Sequence, residues 1–275
     1  MLRDITLGQY YPGESWIHRL DPRVKIIGTF VYLISLFLVQ DFWGFLFAVI
    51  CLAGCIAVSG VPLRFIVRGL KPIFFIILFT FAINMFMTRG TILFQLGFLT
   101  VTREGFYNAL FMAARLVLLI IGSSLLTLTT KPINLTDGVE RLLKPLRRFG
   151  VPAHELAMMM TIALRFIPTL LEETDKIMKA QMARGADFES GNIFQRAKSL
   201  IPLLVPLFIS AFRIATDLAM AMEARCYRGG DQRTRMNGMA LAWRDGAAAG
   251  LLALYLGFVI FQSYFLHGLL MQSGG

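Results

Sequence analysis

Two short segments hold the residue types best suited to docking chemistry. One reads Gln181-Met182-Ala183-Arg184-Gly185-Ala186-Asp187 and the other Met222-Glu223-Ala224-Arg225-Cys226-Tyr227-Arg228-Gly229-Gly230, so an Ala-Arg pair recurs after 41 positions. Arginine offers a planar, permanently charged fork of donors that suits carboxylates and carbonyls on a partner surface. Alanine beside it permits close approach. For either segment alone the simpler account is an arginine that complements the end of a helix, followed by a glycine in the left-handed conformation. The repetition shifts the balance toward a two-point docking device.

Other chemistries find no support in the residues. Cys51, Cys55 and Cys226 form no CxxC pair and read as small packing residues. His18, His154 and His267 are scattered, which leaves no metal-ligand set. The sequence has no G-x-x-x-x-G-K-[ST] phosphate loop, G-x-S-x-G elbow or H-E-x-x-H helix. It therefore offers no catalytic residues and no cofactor site, and any ATP-driven work needs a partner that supplies the energy.

The elements that position the two pairs are set by the solvent. Of 275 residues, 56% are hydrophobic and 16% charged, with 24 Phe and 14 Met and a mean hydropathy of +0.65. A soluble domain is about 45–50% apolar and about 25% charged, so the solvent here is a bilayer. The net charge of +10 accompanies long apolar runs, which fits anionic headgroups and topology rather than nucleic acid. A span needs about 20 apolar residues, and residues 24–39, 42–63, 72–88, 106–129 and 246–275 give about five. The linker 60–71 holds Arg64, Arg68 and Lys71 without an acid. That asymmetry places the N-terminus and residues 131–235 in the cytoplasm, with the loop 89–104 and the C-terminus outside. Arg115 lies within the fourth span. It is either a functional group or a structural one that reaches a polar partner in the bundle.

Residues 131–235 carry 16 of the chain's 27 basic and 11 of its 17 acidic side chains, which argues against spans and for long amphipathic helices. Three are expected. The first covers 134–148, closed by Gly150 and Pro152. The second covers 153–183, with a polar second half containing Glu172, Glu173, Asp175, Lys176 and Lys179. The third covers 193–225, bent by Pro202 and Pro206. The expected organisation is an all-α membrane protein. It comprises a membrane bundle over 1–130, cytoplasmic coupling helices over 131–235 and a final transmembrane helix over 236–275.

With these tips go Tyr11-Pro12-Gly13-Glu14-Ser15, Leu20-Asp21-Pro22-Arg23-Val24-Lys25 and Leu164-Arg165-Phe166-Ile167-Pro168. In this order, over nearly the whole chain, the set resembles the transmembrane T component of energy-coupling factor transporters, a subgroup of ABC importers. Asp21 suits the cap of the first helix, Pro22 its first turn, and Arg23 and Lys25 the headgroup region. The resemblance implies a non-catalytic scaffold in a bacterial cell membrane. Its partners would be two cytoplasmic ABC ATPase subunits, which hold the ATP and Mg, and a separate membrane S component that captures a vitamin or a transition-metal ion. Ala183, Arg184 and Gly185, then Ala224, Arg225 and Cys226, carry over as the motifs that dock into the ATPase surfaces. Cys226 stands where the family has glycine. Because cysteine resists a left-handed cap, the third helix is expected to continue about a turn, to Gly229 and Gly230.

Three rivals are weaker or less complete. A self-sufficient ABC permease would need a polar path, and few polar residues besides Asn84 and Arg115 populate the spans. A membrane enzyme acting on lipid would need a clustered acid, base or metal site. An assembly scaffold without ATP coupling differs only in whether the tips engage a motor.

Overall fold

The computed structural model describes residues 10–39, 41–88, 90–96, 99–150, 152–188, 192, 194, 198–229 and 241–273. Helix α1 (Pro22–Leu38) starts as the sequence dictates. Asp21 Oδ1 accepts from the Arg23 N–H at 2.9 Å, and Pro22 takes the first turn, where no N–H donor is needed. Helix α2 (Phe42–Ser59) stops on Gly60 at φ 67. Helix α3 (Leu63–Leu70) passes through a 3-10 turn (Lys71–Ile73) into α4 (Phe74–Met87). Strands β1 (Ile92–Leu96) and β2 (Leu99–Thr102) then pair antiparallel, a small hairpin within the stretch read as an external loop.

Thr102 caps α5 (Arg103–Thr129) by accepting from the Gly105 N–H at 3.1 Å. Helix α6 (Pro132–Leu143) is shorter than expected; it tightens into a 3-10 turn (Lys144–Phe149) that ends on Gly150 at φ 82. Helix α7 (Ala153–Ala183) follows, then α8 (Ile201–Ala224) and α9 (Trp243–Ser273). The chain is thus an all-α membrane protein apart from the hairpin.

Among the described residues, six helical stretches are long and apolar enough to cross a membrane: Phe42–Ser59, Leu63–Met87, Arg103–Thr129, Ala153–Ala183, Ile201–Ala224 and Trp243–Gln262. The expected number, about five, is therefore approximate, since length and composition alone admit α7 and α8 as well. Helix α1, at 17 residues, is shorter than any of the six. Helices α7 and α8 enter because their charges are gathered rather than spread. In α7 they cluster over residues 172–179, and α8 holds only Arg213, Asp217 and Glu223. The apolar runs 156–162 and 200–211 stand out in the sequence as well, but the charge count over 131–235 favours amphipathic helices there.

Two compact units divide the chain, Gly8–Gly138 with Met239–Gly275, and Val139–Gly238. In the first, Leu36, Phe45, Leu52, Leu118, Tyr255 and Val259 form the main core. Buried polar groups tie its helices together. Ser35 Oγ and Tyr255 Oη lie 2.7 Å apart, and Asp245 Oδ1 accepts from the Asp21 N–H at 2.8 Å. Lys25 corrects an expectation: it is not a headgroup anchor but is buried, donating from Nζ to the Thr129 carbonyl at 2.9 Å and the His18 carbonyl at 3.2 Å.

Arg115 is resolved in the same way. Its Nη2 donates to the Val39 carbonyl at 2.9 Å, at the C-terminal end of α1, and its guanidinium lies 5.8 Å from the Phe37 ring centre and 5.6 Å from that of Phe45. The charge thus complements a helix C-terminus and two aromatic faces. Replacing Arg115 by Met should lower the stability of the bundle by about 1–3 kcal/mol, the cost of a stranded buried acceptor. Arg115→Lys, which keeps the charge but loses the planar fork, should fall between. Thermal unfolding in detergent reads both, and an unchanged midpoint for Arg115→Met would detach the guanidinium from any structural role.

Candidate functional site

Both Ala-Arg pairs end their helices in the same backbone motif. In α7 the last helical residue is Ala183, and Arg184 follows as the cap at φ −90 and ψ 7. The Gly185 N–H then donates to the Met182 carbonyl and the Ala186 N–H to the Gln181 carbonyl, both at 3.0 Å. In α8 the last helical residue is Ala224, and Arg225 caps at φ −91 and ψ 12. The Cys226 N–H donates to the Glu223 carbonyl at 2.8 Å and the Tyr227 N–H to the Met222 carbonyl at 3.0 Å. This pair of reversed bonds is a Schellman motif, which satisfies carbonyls that a simple helix end leaves free. Arg184 and Arg225 therefore occupy equivalent positions, and both are exposed.

Cys226 overturns one expectation. The helix does not run on to Gly229 and Gly230. It ends at Ala224, and Cys226 takes the left-handed position at φ 55, the one non-glycine residue with positive φ among the described residues. Gly185 holds the matching position at φ 88. A Cβ in this region carries a steric cost of about 1–2 kcal/mol, which glycine at the α7 cap avoids.

Proline placement also differs from the sequence reading. Helix α8 starts at Ile201, eight residues later than 193, so Pro202 lies in its first turn, where it breaks no helical hydrogen bond. Residue 193 itself is outside the described residues. Pro206 is interior to α8 as expected, and Pro168 is interior to α7. Each removes one backbone bond from its rod.

Within the second unit, α7 and α8 run antiparallel. Gln181 Nε2, near the end of α7, donates to the Pro202 carbonyl at 3.3 Å, near the start of α8. At the other end Tyr227, just past α8, meets the start of α7: its Oη lies 3.3 Å from His154 Nε2 and donates to Met158 Sδ at 3.0 Å. His154 Nδ1 is in turn 3.0 Å from Glu140 Oε1. The two arginine caps consequently sit at opposite ends of one helix pair. The 24 residues of α8, at about 1.5 Å each, set them roughly 36 Å apart.

Sequence reasoning did not single out Glu140, His154 or Met158. Nothing in the pattern links His154 to a tyrosine 73 positions later; only the antiparallel packing does. No group of three or more potential metal ligands occurs among the described residues, and the three cysteines are free thiols.

A multi-pass membrane protein with two matched arginine caps on a helix pair is the class these features define. Comparison with known proteins narrows it. A family described as Cobalt transport protein matches residues 13–236, a stretch that contains both caps. Three relatives carry the description energy-coupling factor transporter transmembrane protein. That of Thermosediminibacter oceani is 60% identical over 256 residues, covering 92% of this chain and 97% of the relative. That of Clostridium kluyveri is 62% identical over 258 residues, covering 93% and 95%. The Bacillus subtilis relative is 49% identical over 246 residues, covering 89% and 93%. The chain belongs to this family, the transmembrane components of energy-coupling factor transporters.

The caps generate a test of opposite signs. A Cβ added at Gly185 meets nothing within 4 Å, so Gly185→Ala is resisted only by its φ of +88. It should destabilise the last turn of α7 by about 1 kcal/mol, whereas Cys226→Gly should stabilise the last turn of α8 by about the same amount. Amide hydrogen exchange at residues 184–187 and 225–228 measures both.

Proposed function

We propose that the chain is the non-catalytic coupling subunit of an energy-coupling factor importer. Its caps at Arg184 and Arg225 dock into the surfaces of two cytoplasmic ABC ATPase subunits. Those subunits bind ATP and Mg, and their closing and opening moves α7 and α8. That motion reorients a separate membrane S component, which captures a vitamin or a transition-metal ion. In this reading α1 crosses the membrane while α7 and α8 do not, so the N-terminus and both caps face the cytoplasm, in keeping with the acid-free cluster Arg64, Arg68 and Lys71. The C-terminus lies outside.

The observation that carries this reading is the equivalence of the two caps on an antiparallel pair. Two like helices packed head to tail are related by an approximate twofold axis. A dimeric motor presents two like grooves by the same symmetry. One arginine per groove, roughly 36 Å apart, fits such a partner; the cap is a common helix ending, and it is the recurrence of Ala-Arg at the same cap positions that sets these two ends apart. Ala183 and Ala224, both exposed, keep the surface beside each guanidinium low. Pro168 and Pro206 leave each rod one point of reduced backbone bonding.

Two further observations support a scaffold over a permease with its own substrate path. Asn84 Nδ2 donates to the Thr80 carbonyl of its own helix at 2.9 Å, and Arg115 is bonded to Val39. The polar groups singled out within the bundle are thus committed to structure. The sequence also lacks the phosphate loop with which a chain could use ATP itself.

Replacing Arg184 or Arg225 by alanine should weaken ATPase binding about thirtyfold each, the effect of losing a docked charged hydrogen-bonding group worth about 2 kcal/mol. The double variant should release the ATPases and abolish ATP-driven uptake while the bundle remains folded, since both side chains are exposed. Quantitative co-purification with the ATPase subunits, alongside thermal unfolding of the membrane chain, gives the answer. Undiminished co-purification by the double variant would refute the assignment.

A further inference from the structure

The two caps share a backbone but not their surroundings, and the difference falls on the strained one. At the α7 cap the left-handed residue is glycine and the next residue, Ala186, has no polar side-chain atom. At the α8 cap the left-handed residue is Cys226, at φ 55, and the next is Tyr227, whose side chain reaches back to the start of α7. Residues held in sparsely populated backbone regions persist only where their surroundings over-determine them, and such sites gather where geometry serves function. The crossed backbone bonds are common to both caps, so they do not account for the tolerance of a Cβ at one of them. The side-chain contacts of Tyr227 are the additional restraint.

We propose that Glu140, His154 and Tyr227 form a latch that positions the second cap and thereby aims Arg225 at its partner. The chain of contacts is continuous. Glu140 Oε1 lies 3.0 Å from His154 Nδ1, His154 Nε2 lies 3.3 Å from Tyr227 Oη, and that hydroxyl donates to Met158 Sδ at 3.0 Å. All four residues belong to one compact unit. His154 and Glu140 are largely buried, with side-chain exposures of 28% and 16%, so the ring is held rather than waving in solvent. Tyr227 is adjacent to the left-handed residue and two positions from Arg225. Fixing its ring fixes the plane in which the chain turns away from α8. A docking group held in its bound orientation loses less freedom on binding, and the affinity gained is that of pre-organisation rather than of a new contact. None of the three latch residues needs to touch the partner. They are positioning residues for Arg225, and the inference rests on the reading that Arg225 docks.

The left-handed strain supplies the test, because glycine removes it. The full chain is co-expressed with its ATPase subunits, and ATPase co-purification and Mg-ATP hydrolysis are measured for Tyr227→Phe and His154→Ala, each in the native and in the C226G background. In the native background each variant should weaken ATPase binding by about fivefold or more, the factor expected when a left-handed turn loses its restraint. In the C226G background, where no strain has to be held, the same variants should cost less than about twofold, near the scatter of independent sites. A residue that touched the ATPase, or that merely kept the unit folded, would give equal losses in both backgrounds. Equal losses, or no loss in the native background, overturn the latch. Amide exchange at Cys226 and Tyr227 should rise in Y227F and return toward its original rate in the Y227F/C226G chain; unchanged exchange overturns it as well. Arg225→Ala separates the two levels. If it weakens binding about thirtyfold while Tyr227→Phe and His154→Ala do not alter it, the latch alone fails. If Arg225→Ala binds normally, the docking role and the latch built on it fail together.

Discussion

A helix is stiff only as far as its last satisfied turn. Beyond it, free carbonyls fray and the side chains they carry lose direction. The left-handed residue that follows Arg184 and Arg225 prevents this in α7 and α8, because it folds the next amide back onto a carbonyl three residues inside the helix. Each guanidinium is thereby attached to a rod rather than to a frayed end. Force can pass along such a rod in a way that it cannot pass through a loop, and the proposed coupling role depends on this property.

The membrane bundle is held by a different economy of contacts. Apolar faces alone give helices in a bilayer little reason to choose one register, since lipid satisfies them equally well. Specificity comes instead from the few buried polar groups. Lys25 binds the end of α5 through Thr129, Asp245 binds the start of α1, Tyr255 meets Ser35 and Arg115 closes the end of α1. Each joins elements far apart in sequence. Large exposed apolar residues such as Phe74, Phe75 and Phe79 are ordinary where the solvent is lipid.

Much of the fold was legible in the residues. Residues 153–183 were expected to be helical and α7 has those bounds, because Pro152 and Gly185 are strong punctuation at its two ends. Asp21 and Pro22 likewise announced the start of α1. The third helix, expected over 193–225, differs at its start and in the turn expected beyond Arg225. Helix α8 starts at Pro202's first turn rather than at 193, and it stops before a cysteine that local propensity would not place there. The hairpin strands 92–96 and 99–102 left no alternating pattern clear enough to expect them, and the charges of 131–235 weighed more than the apolar runs of α7 and α8.

By itself the sequence determined the solvent, the helices and the two Ala-Arg pairs, since these follow from composition, periodicity and breaker residues within a short window. It did not determine that both pairs share one cap, that the caps lie at opposite ends of an antiparallel pair, or that Tyr227 meets His154. Those facts depend on which distant segments pack together. Burial of Lys25 and the anchoring of Arg115 are decided by neighbours 70 or more positions away. Local preference proposes a conformation, but only the packed chain supplies the contacts that can overrule it.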